Sequence, residues 1–411
     1  MMIWREKIKP YKLAIFILLG VAIGSIAGAV FGHKAAVVKP FGDIFLYMMC
    51  TIVIPIVLIL ITSAVASIAD LRKLGKLLGL TIGIFIVLGL VASLIMLGGV
   101  SAFPPTKGVH IELPKEVEIQ PTLFTMDKLV EVFFVPDFVD IFSKQHILPA
   151  IIFCMLLGVA MSMVGERAKP ITDLLSRLSD VMLKLVEIIM WYAPIGIGAY
   201  FAYLVGNFGP SLLGSYARAM ALYYPLAILY WIIVYSMIAW FIGGRKILCR
   251  WWKYIPLPAV TALGTCSSTA TIPVNLDASK KIGVPKYIRN IILPIGAIMH
   301  MDGSCLSGIL KIAFAFGLLA IPFTPSAMGM AIFIAILSGI VLSGVPMGGY
   351  VGEILIISLY GFPPEMLPLL IIIGTLVDPL ATMINATGDT NAGMIVTRAL
   401  EGREWYTKAV D

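Results

Sequence analysis

The sequence predicts an all-α polytopic membrane protein, and three observations carry that reading. Apolar residues make up 60% of the 411 residues and charged residues only 13%, and mean hydropathy is +0.99, far from the composition of a soluble globular surface. The apolar residues gather into blocks, most of them near the roughly 20 residues that a helix needs to cross a hydrocarbon core. Basic residues collect at particular block ends rather than along the chain.

The blocks run in order as 13–31, 44–69, 77–100, 146–163, 181–205, 219–242, 287–320, 327–360 and 366–396. Further spans follow the first, and no small-x-small cleavage site precedes a soluble domain, so the first block is expected to stay as a helix. Arg5, Lys7, Lys9 and Lys12 precede it, and Arg72, Lys73 and Lys76 follow the second block. Both ends of that pair are therefore expected to face the cytoplasm. Arg245, Lys246, Arg250 and Lys253 mark another cytoplasmic end after the sixth block. The expected location is the cell membrane, a cell inner membrane, with both termini cytoplasmic. The net charge of +7 suits retention beside anionic lipid, and no groove-like grouping suggests a nucleic-acid partner. The five cysteines lie mostly in apolar surroundings without ligand spacing, which reads as packing. No nucleophile, base and orienting group recur together, so no enzyme is expected.

Near residue 250 the chain changes character, because its apolar blocks begin to carry Gly, Pro, Ser, Thr and Asp. Irregular backbone at membrane depth is tolerated only where protein or water satisfies it, so the second half is expected to enclose a site. Pro258–Leu276 is apolar up to the tip GTCSSTAT, and Phe333–Ile354 is apolar around SGVPMGG. Each fits a re-entrant hairpin; ordinary loops between short tilted helices fit the spacing equally well. In the hairpin reading Ser267, Ser268 and the Gly348–Gly349 pair place hydroxyls and close backbone at helix ends, where a carboxylate binds.

Between these segments lies Gly296-Ala-Ile-Met-His300-Met-Asp302-Gly303-Ser304. A carboxylate in an apolar span is costly without a cation, a proton or donors, which makes Asp302 a functional residue by default. Gly303 offers a helix break there, and His300 reaches the same place only if the segment unwinds; otherwise it is a packed neutral imidazole. In the last block Asp378, Thr382, Asn385 and Asp389 recur at four, three and four residues, placing them on one helix face. A polar seam between helices explains the threonine and the asparagine, but not two buried acids. Glu353 is read either as a titrating group or as a boundary residue facing water or a lysine.

Together these segments resemble the glutamate transporter family, the dicarboxylate/amino acid:cation symporters. CSSTATIPV resembles its first hairpin, HMDGS its sodium-binding segment, SGVPMGG its second hairpin tip and DPLATMINATGD its final helix; KPFGDIFLYMM, IPIVLILITSAVASI and YAPIG extend the likeness into the first half. The resemblance implies eight transmembrane helices plus two re-entrant helical hairpins, working as an elevator-type homotrimer. Residues 1–250 would hold six helices, mainly the trimerisation scaffold, and 251–396 the transport core. That core would comprise hairpin 1 (about 256–280), broken helix 7 (about 286–318), hairpin 2 (about 327–360) and helix 8 (about 366–396), followed by a cytoplasmic tail at 397–411. Substrate contacts carry over to Ser267, Ser268, Val345, Gly349, Asp378, Thr382 and Asn385, with Ala381 beside them. Cation or proton coupling carries over to Gly296, His300, Asp302, Asn385 and Asp389, with Asp389 a sodium ligand and Asp302 a sodium ligand or proton carrier. No cofactor is implied beyond Na+ or H+ as coupling ions.

Two departures shape the functional expectation. Acidic amino acid transporters of the family carry an arginine where this chain has Ala381, and a second substrate carboxylate against alanine would stay unpaired. The expectation is therefore a divergent member resembling the family's neutral amino acid transporters, with a small neutral amino acid as substrate and membrane lipid as its surroundings. A sodium-coupled acidic amino acid or dicarboxylate symporter and a substrate-gated anion channel stand as alternatives. The second departure is His300, where the family has asparagine, together with Val87, Leu88 and Gly89 in the window of a third-span Thr-Ser pair. Altered cation coupling, with proton coupling or exchange, is expected to follow.

Overall fold

The computed structural model describes residues 12–66, 75–106, 134–142, 147–208, 211–342, 349–402 and 404–407. These residues are helical almost throughout, because inside a bilayer a helix satisfies its own backbone groups. Among them, five continuous stretches are long and apolar enough to cross a membrane: Ile15–Phe45, Gly79–Ala102, Leu212–Thr265, Lys286–Leu318 and Pro364–Glu401. The polytopic all-α class is thus as the sequence predicts. The basic residues that were to orient the N-terminal end, Arg5, Lys7 and Lys9, and Arg72 and Lys73 after the second block, lie outside the described residues, as do most residues beyond 402.

The first body is built on close backbone packing. Helix α1 (Lys12–Phe31) lies along α5 (Lys169–Phe208), and α2 (Lys39–Ile56, continued by a π-helical turn Val57–Ile61 and a last turn Thr62–Ala66) packs on α5 as well. Gly20, Gly24 and Gly28 of α1 face Pro194, Gly198 and Ala202 of α5, and a Cβ on Gly24 would overlap the Gly198 carbonyl. Small residues at this spacing let two backbones approach, which is how helices associate where lipid removes the hydrophobic drive. Helix α4 (Ile147–Val164) packs on the end of α2.

The second body surrounds α14 (Leu367–Glu401), which touches α3 (Gly75–Ala102), α6 (Ser211–Leu229), α7 (Tyr235–Tyr254), α8 (Pro256–Thr265), α9 (Ser268–Ile282), α10 (Lys286–Met299), α11 (Asp302–Leu318) and α13 (Gly349–Tyr360). Helix α12 (Pro325–Leu342) packs on α3, α11 and α13. The last helix is mostly buried, with 72% of its most apolar stretch inside, against 22% for Ile15–Phe45. An apolar helix covered on most sides is an interior element rather than a lipid-facing one.

Three breaks in this body position the site. Helices α8 and α9 form a helical hairpin whose turn is Cys266–Ser267, with Cys266 in the left-handed region (φ 49°). Helix α8 has ten residues and therefore rises only about 15 Å, half a hydrocarbon core. Helices α10 and α11 are interrupted at His300 and Met301, both non-helical. The break thus lies at these two residues rather than at Gly303, which sits inside the first turn of α11 because Asn385 captures its N–H. Helices α6 and α7 are joined by a π-helical turn, Tyr230–Val234, five residues after Pro225; α7 itself kinks at Gly243 and Gly244.

Candidate functional site: a buried histidine between two aspartates

The interruption of α10–α11 brings His300 between two acids. Its Nδ1 lies 3.1 Å from Asp389 Oδ1 on α14, and its Nε2 lies 3.2 Å from Asp302 Oδ1. The Asp389 contact has hydrogen-bond direction, whereas the Asp302 contact is an electrostatic approach that leaves both atoms without a directed partner. All three side chains are buried. A ring with an ionised carboxylate at each nitrogen is attracted to both as imidazolium, whereas a neutral ring turns one lone pair to an acid and needs that acid protonated; either way the cluster holds a proton between His300 and its acids. Phe85 of α3 closes the remaining side, stacking on the imidazole with ring centroids 4.6 Å apart.

The second oxygen of Asp302 is held by two hydroxyls. Tyr230 donates to Asp302 Oδ2 at 2.7 Å and Tyr235 at 2.9 Å. Residues five apart on an ideal α-helix point about 140° away from each other. The wider π-helical turn between them rotates Tyr235 back toward Tyr230, so that both rings reach one carboxylate. Two glycines make room for this: a Cβ on Gly388 would strike Tyr235 and His300, and one on Gly296 would overlap Asp389.

Asn385, one turn before Asp389, caps the start of α11. Its Oδ1 accepts from Gly303 N at 2.7 Å and its Nδ2 donates to Ser304 Oγ at 3.1 Å, while also reaching Met301 Sδ at 3.0 Å. One turn earlier, Thr382 lies 3.4 Å from Asp378 Oδ1. The four polar residues of α14 thus recur at the spacing of one face; Asn385 and Asp389 find their partners at the break, whereas Thr382 and Asp378 pair within α14. Ala381 is buried, and its backbone lies against Gly303, where a Cβ would overlap it. On hairpin α8–α9, Ser267 caps α9 by accepting from Ala270 N at 3.2 Å, and Ser268 begins that helix. Gly349 is the first residue of α13; Val345 and the rest of the tip 343–348 lie outside the described residues.

Several contributors are not singled out by the sequence reading. Tyr230 and Tyr235 are hidden because their shared face depends on a π turn. Asn275, Ser279 and Thr390 form a polar seam fixing α9 to α14: Thr390 donates to Asn275 at 3.0 Å, Ser279 and Thr390 share a 2.9 Å bond, and Asn275 donates to the Ala386 carbonyl. Glu353 does face a lysine: Lys311 of α11 donates to its Oε1 at 2.5 Å, with both residues buried rather than at a boundary. A lysine inside an apolar helix is the signal that would have found this pair.

Residues 13–399 match the sodium:dicarboxylate symporter family. The chain belongs to that family. Relatives resemble it over nearly its whole length: the proton/sodium-glutamate symport protein of Bacillus caldotenax is 29% identical over 397 residues, covering 94% of each chain. That of Bacillus subtilis (strain 168) is 27% identical over 399 residues, covering 94% of this chain and 92% of its own. The C4-dicarboxylate transport protein of Brucella anthropi is 26% identical over 403 residues, covering 96% and 90%. Family members are transporters, not enzymes.

These relatives correct the expectation of a member resembling neutral amino acid transporters, and with it the small neutral amino acid as substrate and partner. The relatives are named for glutamate and C4-dicarboxylates. The physical flaw lies in judging solute class from the one side chain at Ala381. A buried ammonium does occur in the same body: Lys311 of α11, paired with Glu353, lies beside Gly374, two turns before Ala381 on α14.

Proposed function

We propose that this chain is a symporter that carries an acidic solute, glutamate or a C4-dicarboxylate, together with a proton or sodium ion. The observation that carries the reading is the buried His300–Asp302–Asp389 cluster at the α10–α11 break, in a chain whose full-length relatives are named as proton/sodium-glutamate symport and C4-dicarboxylate transport proteins. Two carboxylates and one imidazole at 3.1 and 3.2 Å form a place where one positive charge is held away from water, and the charge there must be matched for the body to move through lipid. Among the described residues no three His, Cys, Asp or Glu side chains have metal-centre geometry. Phe85, not an oxygen-bearing side chain, faces the imidazole from α3, which favours a proton on His300 over a sodium ion at Asp302. Asp389, with Asn385 and the Gly296 backbone nearby, keeps the oxygen atoms that suit sodium.

In this reading α8–α9 and α12–α13 are re-entrant hairpins, and eight helices span fully. Helices α1, α2, α4 and α5 belong mainly to a trimeric scaffold within 1–250. The body around α14, residues 251–396 with α3 and α6, moves across the membrane as an elevator. Ser267, Ser268 and the start of α13 at Gly349 supply donors to one solute carboxylate, and Asp378, Thr382 and Asn385 orient the solute from α14. The test is uptake of radiolabelled glutamate, aspartate, malate and succinate into proteoliposomes under imposed proton and sodium gradients. Accumulation of at least one acid, driven by either gradient, is the expected result; uptake of neutral amino acids alone would refute the proposal.

A further inference from the structure

Of the two buried lysine and arginine side chains among the described residues, Arg289 donates to the Val284 carbonyl at 2.9 Å near the start of α10, and Lys311 lies in the middle of α11. Removing an ammonium and a carboxylate from water costs several kcal/mol for each ion, so an apolar pair of the same volume would pack at least as well. The Lys311–Glu353 pair is therefore costly as mere structure, and its position suggests a use. Three helix faces converge on it. On α14, Gly374 touches both groups and Asp378 follows one turn later on the same face. On α13, Glu353 lies one turn after Gly349, the first residue beyond the hairpin tip. On α11, Lys311 lies two turns after Ser304, which bonds Asn385. The pair is also incomplete: Lys311 Nζ has three donors and gives one to Glu353 Oε1, while Glu353 Oε2 is buried without a partner.

We propose that Lys311 is the specificity-determining cation for a second solute carboxylate, and that Glu353 holds it in place between transport events. The inference deepens the acidic-solute reading and rests on it. The solute carboxylate takes donors of Lys311 not used by Glu353, arriving from the side of Asp378, which follows Gly374 by one turn on α14. Because Glu353 belongs to the exit helix of the second hairpin and Lys311 to α11, an acid bound to the ammonium also ties these two elements together. A monoamide of the same shape offers the ammonium only a neutral carbonyl oxygen, without the attraction between opposite charges.

The experiment compares each acid with its amide: aspartate with asparagine, glutamate with glutamine, and succinate with succinamate, by binding to the purified protein and by uptake into proteoliposomes. The wild-type protein is expected to prefer the acids. Lys311→Gln is expected to reduce that preference by at least tenfold, and Lys311→Arg to retain most of it. The double variant Lys311→Gln/Glu353→Gln leaves no buried charge unpaired, so it reports even if the single variant fails to fold, and it is expected to lose the preference equally. Unchanged acid-to-amide ratios in the folded double variant would overturn the inference and leave the acidic-solute reading standing. A wild-type protein that binds none of the acids would overturn both.

Discussion

Helices α1 and α5 and helices α11 and α14 both meet through glycine, yet the two seams differ in what the close approach achieves. At Gly20, Gly24 and Gly28 backbone lies on backbone, and the residues around the seam, such as Ile23, Ile26 and Ile188, are apolar and exposed. At Gly303 backbone also meets backbone, but Gly296 and Gly388 make space for Asp389, His300 and Tyr235. The first seam exchanges side-chain volume for contact and holds two apolar helices together. The second exchanges it for charge, and encloses it: 83% of the apolar window of Lys286–Leu318 is buried, against 22% for Ile15–Phe45. A glycine in an apolar span is thus uninformative until the neighbour it admits is known.

Substitutions separate the two seams. The largest effect is expected from Asp389→Ala, which leaves the His300 ring facing only Asp302; breaking a buried charge pair costs about 3–5 kcal/mol. Thermal unfolding in detergent should fall, and transport per folded molecule should be lost. Gly24→Leu should cost about 1–3 kcal/mol through overpacking against α5, seen as a lower unfolding temperature, while the folded fraction binds solute with unchanged affinity. An affinity loss in that variant would show that the seams are coupled.

The sequence made the helical spans, the broken seventh block and the polar face of the last helix legible, because each rests on local periodicity or on the cost of a charge in lipid. Thr382, Asn385 and Asp389 stand where four, three and four spacing puts them. The position of the break was misplaced by two or three residues, since glycine is only a permissive residue and here Asn385 holds Gly303 in helix. Solute class is not legible from Ala381 alone, and the buried Lys311–Glu353 pair, which meets α14 at Gly374 two turns before Ala381, joins α11 to α13 through a contact no local pattern encodes. Tyr230 and Tyr235 were invisible for a related reason: their common face exists only through the π turn.

Smaller effects sharpen the account of the charged seam. Tyr235→Phe removes one of two hydroxyls from Asp302, and a hydrogen bond to a charged group contributes about 1.5–3 kcal/mol. Initial uptake per folded molecule should fall in that variant, because Asp302 Oδ2 keeps only the Tyr230 hydroxyl. A lower unfolding temperature with unchanged uptake per folded molecule would show that Tyr235 is structural. Ser267→Ala should be milder still, since an N-cap is worth about 1 kcal/mol. It should lower solute affinity only modestly, and the α8–α9 hairpin should remain folded by hydrogen exchange.

The His300–Asp302–Asp389 cluster is proposed to couple an acidic solute to a cation. Its most direct test is initial uptake of the transported acid into proteoliposomes with proton and sodium gradients imposed separately, for the wild-type protein and for His300→Asn. The wild type is expected to accumulate the acid under an inward proton gradient, and the variant, which lacks the ionisable ring, to lose that response and retain or increase its dependence on sodium. Equal proton-driven accumulation by both proteins, or uptake indifferent to either gradient, would contradict the claim.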